Sequence, residues 1–217
     1  MEEHNMNITL ENDLKRCADM IVSLPWRVQN NKNDRETNFI YDTYSLDRCI
    51  QLAEEKKLDV GYVLHRWYNY HTSVYCEDIF CDYGAVHEEN RRNHDVDIYI
   101  DGTPFDVKLT AYPKALIPRR PYDLTTRSGK NDMIKWFYDN QSKGSRHQWL
   151  SRLYVVCDTN NKSELLKMKC DFDLLREAIG NFMRSNDARD FNQVVLNDAS
   201  DNNREYTPYS DIIYVRK

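Results

Sequence analysis

Glycine and long hydrophobic runs are both scarce in this sequence, and each shortage excludes a class of protein. Only 6 of the 217 residues are glycine, and no glycine-rich loop of the kind that holds nucleotide phosphates is present. We therefore expect no nucleotide cofactor. No run approaches the ~18 apolar residues of a membrane-spanning helix, and the first residues, MEEHNMNITLEND, are acidic and polar, unlike a signal peptide. We expect a cytoplasmic protein that does not enter a membrane.

The sequence also lacks a CxxC pair, although it has six cysteines. In a chain of this length we expect reduced, buried thiols and no disulfide scaffold. Four residues of zinc-ligating type lie in one short stretch: Cys76, Cys81, His87 and His94. Cys76 and Cys81 are five residues apart on a predicted helix and point to different sides, so zinc is the less favoured interpretation.

The composition is that of a folded chain, with 41% hydrophobic and 12% aromatic residues. Apolar residues recur at helical spacing from Leu10 to Leu24, and the polar stretch 29–37 that follows predicts a loop. Ser45 and Asp59 are expected to cap two further helices. These patterns predict an N-terminal helical region over residues 1–72.

A two-residue turn organises the stretch His94–Thr110, HDVDIYIDGTPFDVKLT. Asp101-Gly102 lies between two runs of β-branched and aromatic residues, which predicts a hairpin with a type I′ turn and positive φ at both turn positions. This turn sets the register of the two strands, which pairs Ile100 with Thr103, Tyr99 with Pro104, Ile98 with Phe105, Asp97 with Asp106 and Asp95 with Lys108.

One face of the predicted hairpin is charged and the other is apolar, because side chains alternate along a strand. The charged face carries Asp95, Asp97, Asp106 and Lys108, and the apolar face carries Ile98, Ile100, Phe105 and Val107. Directly opposed residues have β-carbons about 4.5–5.5 Å apart, so two opposed carboxylates repel each other. A divalent cation offsets that repulsion, since carboxylate oxygens are ligands that Mg²⁺ prefers. A nearby lysine can then hold a water or a phosphate and stabilise negative charge.

Asp97, followed by Asp106-Val107-Lys108, resembles the motif of the PD-(D/E)xK nuclease superfamily, whose fold is that of type II restriction endonucleases. The resemblance covers residues 73–157, and valine stands where the motif has a proline before its first aspartate. It implies four catalytic residues, Asp97, Asp106, Lys108 and a helical glutamate, Glu77. It also implies that Asp97, Asp106, Glu77 and the backbone carbonyl of Val107 ligate Mg²⁺, with Mn²⁺ as a substitute.

Other acidic residues near the motif have alternative interpretations. Asp101 is most simply the turn residue. Asp95 is either a third metal ligand or, as we prefer, the cross-strand salt-bridge partner of the lysine. Glu88 or Glu89 can replace Glu77 as the extra carboxylate, but a helical residue holds a ligand more rigidly than a loop residue does. The whole charged face can also be a solvated strand surface, although two opposed aspartates gain nothing there.

Positive charge is concentrated after the hairpin. Between Lys108 and Arg152 there are ten basic and three acidic residues, a net charge of +7, which leaves −12 for the rest of a chain whose total is −5. Such a stretch predicts contact with a phosphate backbone, the alternative being a solvated loop and helix. The residues expected to bind DNA are Arg119, Arg120, Arg127, Lys130, Lys143 and Arg146.

The remaining pattern predicts an α/β core over residues 73–217, packed with the N-terminal region into one compact unit. The predicted elements beside the hairpin are a helix over 73–83 that ends at Gly84, a polar connection over 85–93, a helix over 132–141, a buried strand over 153–157, a helix over 172–183, a loop over 197–205 and a late strand over 209–215. Helix, hairpin, crossover helix and buried strand follow in the order that the nuclease resemblance implies. We therefore expect a restriction-endonuclease-like core whose central mixed β-sheet is flanked by helices.

These expectations combine into a Mg²⁺-dependent endodeoxyribonuclease of restriction or phage-defence type, which would form a homodimer if it cuts both strands. A repair or recombination nuclease of the same fold is one alternative. A catalytically inactive nucleic-acid-binding module and an interaction protein with an acidic surface are two others. The complete set of Asp97, Asp106 and Lys108 argues against an inactive module.

Overall fold

The structure of the protein is a computed structural model that describes residues 2–26, 31–90, 95–117, 119–141, 150–185, 191–198 and 204–217. The chain divides into two compact units: unit 1 comprises Met1–Tyr75 and Asn161–Asp173, and unit 2 comprises Cys76–Asn160 and Leu174–Lys217. Two long helices, α4 (Val60–Asp82) and α7 (Phe172–Ser185), run from one unit into the other. No helix of the described residues is long and apolar enough to cross a membrane.

Unit 1 is helical among its described residues. Besides the first part of α4 it contains α1 (Glu2–Ile21), α2 (Asn31–Glu36), a 3-10 helix (Asn38–Asp42), α3 (Leu46–Glu55) and α6 (Lys162–Lys169). The predicted caps are confirmed, because the Ser45 hydroxyl accepts from the Arg48 N–H and Asp59 accepts from the Tyr62 N–H at 2.7 Å. The predicted loop over 29–37 is wrong at α2. Helix α6 was not predicted.

Helix α4 is a single helix of 23 residues, whereas the sequence predicts two helices that meet before Ser73. Polar residues at the predicted break find hydrogen-bond partners inside and outside the helix. The Thr72 hydroxyl donates to the Tyr68 carbonyl at 2.8 Å, and the His71 Nε2 lies 3.1 Å from the Ile40 carbonyl oxygen. The chain leaves the helix where predicted, at Gly84, whose φ of +100° suits a residue without a side chain.

Unit 2 is built on a mixed six-stranded sheet of order β1-β2-β3-β4-β8-β5. Its strands are β1 (Val86–His87), β2 (Ile98–Ile100), β3 (Thr103–Ala111), β4 (Arg152–Cys157), β5 (Asn192–Gln193) and β8 (Tyr209–Val215). Strands β3, β4 and β8 are parallel, and the outer pairs are antiparallel. Two short strands, β6 (Leu196–Asp198) and β7 (Arg204–Tyr206), form a separate pair, so the predicted loop over 197–205 is wrong at both of its ends.

The predicted hairpin is present between β2 and β3. Asp101 and Gly102 have φ of +48° and +78°, as a type I′ turn requires. The pairing of β2 with β3 follows the predicted register from Ile100–Thr103 to Ile98–Phe105. Strand β1 was not predicted, since it lies inside the polar connection over 85–93.

Helices cover the sheet of unit 2, so the expected α/β architecture with a flanked mixed sheet is confirmed. Helix α5 (Arg127–Gln141) packs on the sheet through a buried cluster that includes Phe137 and Tyr154, whose rings stack at 4.5 Å between centroids. Phe191 contacts Phe105 of β3 edge to face and stacks on Phe182 of α7. Helix α5 begins five residues before the predicted start. A β-carbon at Gly129, in its first turn, would lie 2.1 Å from the Asp123 carbonyl oxygen, so only glycine permits this approach.

Candidate active site

The side chain of Asp97 continues the contact between the two hairpin strands. The pairing described above ends at Ile98, and the Asp97 N–H donates to the Phe105 carbonyl at 2.9 Å. The Asp97 Oδ2 then accepts from the Val107 N–H at 2.7 Å, which ties the carboxylate to the edge of β3. The N–H and C=O of one strand residue point to the same side, so the Val107 carbonyl also faces the side on which Asp97 lies.

Asp106 lies between two basic groups and is only 4% exposed. Its Oδ1 accepts from the Lys108 ammonium, and its Oδ2 accepts from the Arg152 Nε at 3.0 Å. Arg152 contacts Asp106 because the parallel register of β3 and β4 places these two residues side by side. Sequence analysis missed Arg152 as a site residue, since only the register of strands 46 residues apart connects the pair.

A chain of hydrogen bonds, in which each group donates to the next, holds Arg152 in place. The Arg152 N–H donates to the Ser210 Oγ at 3.3 Å, and this hydroxyl lies 3.0 Å from the Tyr138 hydroxyl. Because Tyr138 gives its proton to the Leu150 carbonyl, Ser210 donates to Tyr138. The Arg152 guanidinium also lies over the Tyr138 ring, 5.1 Å from its centroid. Strands β4 and β8 and helix α5 thus fix the arginine together.

Negative charge exceeds positive charge around these residues. Burial, together with the charges of Asp97, Asp78 and Asp106, raises the pKa of Glu77 on α4 to about 8, while Lys108 opposes the rise. Burial and the neighbouring Asp106 raise the pKa of Asp97 to about 6, against the lowering effect of Lys108 and of a backbone N–H. The predicted residues Glu77, Asp97, Asp106 and Lys108 therefore share one electrostatic environment in unit 2.

The alternative carboxylates are engaged elsewhere. Glu88 accepts hydrogen bonds from the Tyr99 hydroxyl and the Asn90 N–H, both at 2.8 Å. Asp101 is the exposed turn residue. The ion pair formed by Lys108 is with Asp106 and not the predicted one with Asp95, because the regular pairing of β2 with β3 stops before residue 95 reaches the lysine. Glu77 lies close enough to Asp97 and Asp106 for their charges, beside burial, to raise its pKa.

Among the described residues, no group of three or more Asp, Glu, His or Cys side chains is arranged as a ready metal centre. The zinc candidates Cys76, Cys81 and His87 belong to no group of three or more possible metal ligands among the described residues, and the His87 Nε2 lies 2.9 Å from the Asp78 Oδ1. His94, the fourth candidate, lies outside the described residues. Two carboxylates nevertheless suffice for Mg²⁺, which usually keeps several waters and binds one or two carboxylates.

The residues predicted to bind DNA fall into three groups. Arg120 and Lys130 are ion-paired inside unit 2, Arg120 with Asp158 at 2.7 Å and Lys130 with Asp211 at 3.0 Å. Two others, Arg119 and Arg127, are exposed. The last two, Lys143 and Arg146, lie outside the described residues. The partners Asp158 and Asp211 come after the basic stretch in sequence, so the net charge of that stretch overstates its free positive charge.

No family model, curated protein or solved structure matches this chain. The site consists of three carboxylates, an exposed lysine and a buried arginine, gathered at one end of the β3–β4 pair. Burial and the charges of Asp97 and Asp106 raise the pKa of Glu77, and burial and the charge of Asp106 raise the pKa of Asp97.

Proposed function

We propose that the protein is a metal-dependent endonuclease that hydrolyses DNA phosphodiester bonds. The observation that carries this proposal is the grouping of Asp97, Asp106 and Lys108 with Glu77, which come from the hairpin and from helix α4. The order of α4, the hairpin, α5 and β4 agrees with the order that the resemblance to the PD-(D/E)xK superfamily implies, which supports a restriction-endonuclease-like core.

The donor set suits a divalent cation by its chemistry. Mg²⁺, or Mn²⁺ in its place, would be held by Asp97, Asp106 and the Val107 carbonyl with help from Glu77, and would supply charge stabilisation at the phosphate and a more acidic water. The raised pKa values of Glu77 and Asp97 support this assignment, because burial and neighbouring carboxylates disfavour their charged forms, and a bound divalent cation would offset both effects.

Lys108 supplies the mobile positive charge of the site. Its side chain is 44% exposed, while its ammonium contacts the buried Asp106. A lysine ammonium is a compact charge on a flexible stem, so it can turn from the carboxylate to a phosphate oxygen or to the attacking water. There it would stabilise the negative charge that develops in the transition state.

Binding of the DNA backbone would rely on the exposed members of the basic stretch. Arg119 and Arg127 are the exposed residues of the predicted set, and Lys114 and Lys135 are exposed in the same stretch. Arg120 and Lys130 would contribute less, because phosphate would have to compete with Asp158 and Asp211 for them. Cleavage of both strands would call for a two-fold dimer.

Plasmid cleavage tests the proposal. The wild type and Lys108→Ala are incubated with supercoiled plasmid and Mg²⁺ or Mn²⁺, and Lys15→Ala serves as a matched change of another exposed, ion-paired lysine outside the basic stretch. We expect nicked or linear product with the wild type and Lys15→Ala, and roughly 10²-fold slower cleavage with Lys108→Ala. Discrete bands would indicate site-specific cleavage, and a smear would indicate cleavage without site specificity.

Two results would contradict the proposal. Equal activity in Lys108→Ala would assign the cleavage to a contaminant. Absence of cleavage on duplex DNA, single-stranded DNA and RNA, together with DNA binding, would indicate the inactive nucleic-acid-binding module instead.

A further inference from the structure

We propose that Arg152 is a positioning residue that holds Oδ2 of Asp106, so that Oδ1 is the oxygen at which Lys108 exchanges with a divalent cation. The inference rests on the proposed metal-dependent activity and deepens it. It assigns a separate role to each oxygen of one carboxylate and a role to a residue outside the predicted motif.

The Arg152 side chain cannot readily leave Asp106. It is 9% exposed, and its strand has a hydrogen-bonded parallel neighbour on each side. Its guanidinium lies over the Tyr138 ring, and its backbone N–H is bound by Ser210. Removing the buried guanidinium from its carboxylate would leave the buried charge of Arg152 without its partner, which is a large energetic cost. The contact at Oδ2 is therefore fixed.

Lys108 holds the other oxygen under opposite conditions. Its side chain is 44% exposed, against 9% for the arginine, so its ammonium can exchange the carboxylate for water at little cost. When the lysine leaves, Arg152 still holds the buried carboxylate, so Asp106 keeps a charged partner. Oδ1 is accordingly the atom that a cation can reach without disturbing buried packing.

A fixed second oxygen orients the first. Residues that hydrogen-bond a ligating carboxylate from behind fix its rotamer, and their loss typically weakens metal affinity 10–100-fold. Arg152 fills this position for Asp106. It differs from Lys108 in that it would act only through Asp106 and would touch neither substrate nor water.

Calorimetric titration with Mn²⁺ tests the assignment in full-length variants. We expect Arg152→Gln to weaken Mn²⁺ binding by roughly 10–100-fold. Lys108→Met removes the cation that competes at Oδ1 and should bind Mn²⁺ at least as tightly as the wild type. Arg120→Gln is the matched control, because Arg120 also pairs with a buried aspartate of unit 2 but lies away from the site.

Cleavage at increasing Mn²⁺ separates positioning from a general folding defect. If Arg152→Gln acts through the metal, saturating Mn²⁺ restores much of its cleavage rate, whereas a damaged fold would not respond. Should Arg152→Gln fail to fold by circular dichroism, Arg152→Lys is compared with Arg120→Lys, and weaker Mn²⁺ binding is expected only for the former, since an ammonium cannot replace a stacked guanidinium.

The results distinguish this inference from the proposed function. Wild-type Mn²⁺ binding with equal affinity in the folded Arg152 variant would overturn the role of Arg152 and leave the nuclease proposal standing. A loss of Mn²⁺ affinity in Lys108→Met as large as that in Arg152→Gln would also overturn the role of Arg152 and leave the nuclease proposal standing. A wild type that neither binds Mn²⁺ nor cleaves DNA would overturn both.

Discussion

The two ends of strand β4 carry the same kind of ion pair in different surroundings. At its start Arg152 binds Asp106, and just after its end Asp158 binds Arg120, in each case with a buried aspartate. Asp158 also accepts from the Tyr214 hydroxyl. Asp158 lies six positions after Arg152, which is about 20 Å along a strand.

The difference between the two ends lies in their charge balance. Burial acts to raise the pKa of Asp158, but the hydrogen bonds from Arg120 and Tyr214 outweigh it, and the pKa falls below its ordinary value. At the other end the carboxylates of Glu77 and Asp97 have raised pKa values. Both ends carry a buried ion pair, but carboxylates with raised pKa values lie beside the pair at the start of β4, which is the end where the proposed site lies.

The largest effect is expected from removing one aspartate charge at each end. Asp106→Asn should lower metal-dependent DNA cleavage by about 10³-fold, since a metal ligand contributes several kcal/mol to transition-state stabilisation. Asp158→Asn should leave the cleavage rate within about twofold of the wild type when both proteins are folded. Initial rates on plasmid measure both, and comparable losses in the two variants would remove the distinction between the ends.

Stability should change with opposite signs at the two ends. In EDTA, Glu77→Gln should raise Tm by about 2–4 °C for each kcal/mol of repulsion that it removes. Because the folded-state pKa of Glu77 is about 8 against an ordinary 4.5, the gain should be small at pH 5 and should grow until the pH passes 8. Thermal melts at pH 5 and pH 8.5 measure it. A gain that shrinks with rising pH would contradict the raised pKa.

Asp158→Asn should behave in the opposite way. Its carboxylate has a lowered pKa in the folded state, so its stabilisation is present above the ordinary pKa of 3.8 and is lost as the pH falls. At pH 7 we expect the variant to lose about 1–3 kcal/mol, because the change weakens the bonds from Arg120 and Tyr214. Urea unfolding at pH 7 measures this loss. A variant more stable than the wild type would contradict the expected difference between the two ends of β4.

A smaller effect should separate two arginines of the basic stretch. Arg127→Ala should reduce the slope of log affinity against log salt concentration for duplex DNA by about 0.9, as expected when one phosphate contact is lost. Arg120→Ala should leave the slope unchanged, because its guanidinium is held by Asp158. Fluorescence anisotropy in EDTA, where cleavage cannot interfere, measures the two slopes. A lower slope for Arg120→Ala would place that residue on the DNA.

The smallest effect is expected from a change in the hairpin turn, which lies further along the sheet than the start of β4. Gly102 has a φ of +78°, and no atom lies within 4 Å of a β-carbon added there. Gly102→Ala should therefore cost about 1 kcal/mol through backbone strain alone and lower Tm by about 2–4 °C. Thermal melting measures this change in Tm. Gly84→Ala serves as a control, because Gly84 also has a positive φ and open space around it.

The part of the site that depends on neighbouring sequence was predictable. Asp101-Gly102 dictates a turn whose backbone geometry sets the register of the residues beside it, and the pairing of Ile98 with Phe105 follows. Strand β8 was predicted with its observed bounds, because a run of apolar residues between polar segments indicates a buried strand. The metal, the DNA and the nuclease chemistry stay predictions.

The part that depends on distant strands was not predictable. Arg152 and Asp106 are 46 residues apart, and Arg120 and Asp158 are 38 apart, so neither pair has a local signal. Arg120 was predicted to bind DNA for this reason, since its counter-charge comes only after β4. The one available sign of Arg152 was a charged residue directly before the apolar strand LYVVC.

The hydrogen-bond chain from Arg152 through Ser210 and Tyr138 to the Leu150 carbonyl also determines when the site can be completed during protein synthesis. A ribosome releases the hairpin with Asp97, Asp106 and Lys108 long before it releases Ser210 in β8. During synthesis the carboxylates therefore exist without the strands that hold Arg152 against them. The site can reach its final arrangement only after strand β8 has emerged, so the nascent protein carries its acidic residues before it carries the strand that supports them.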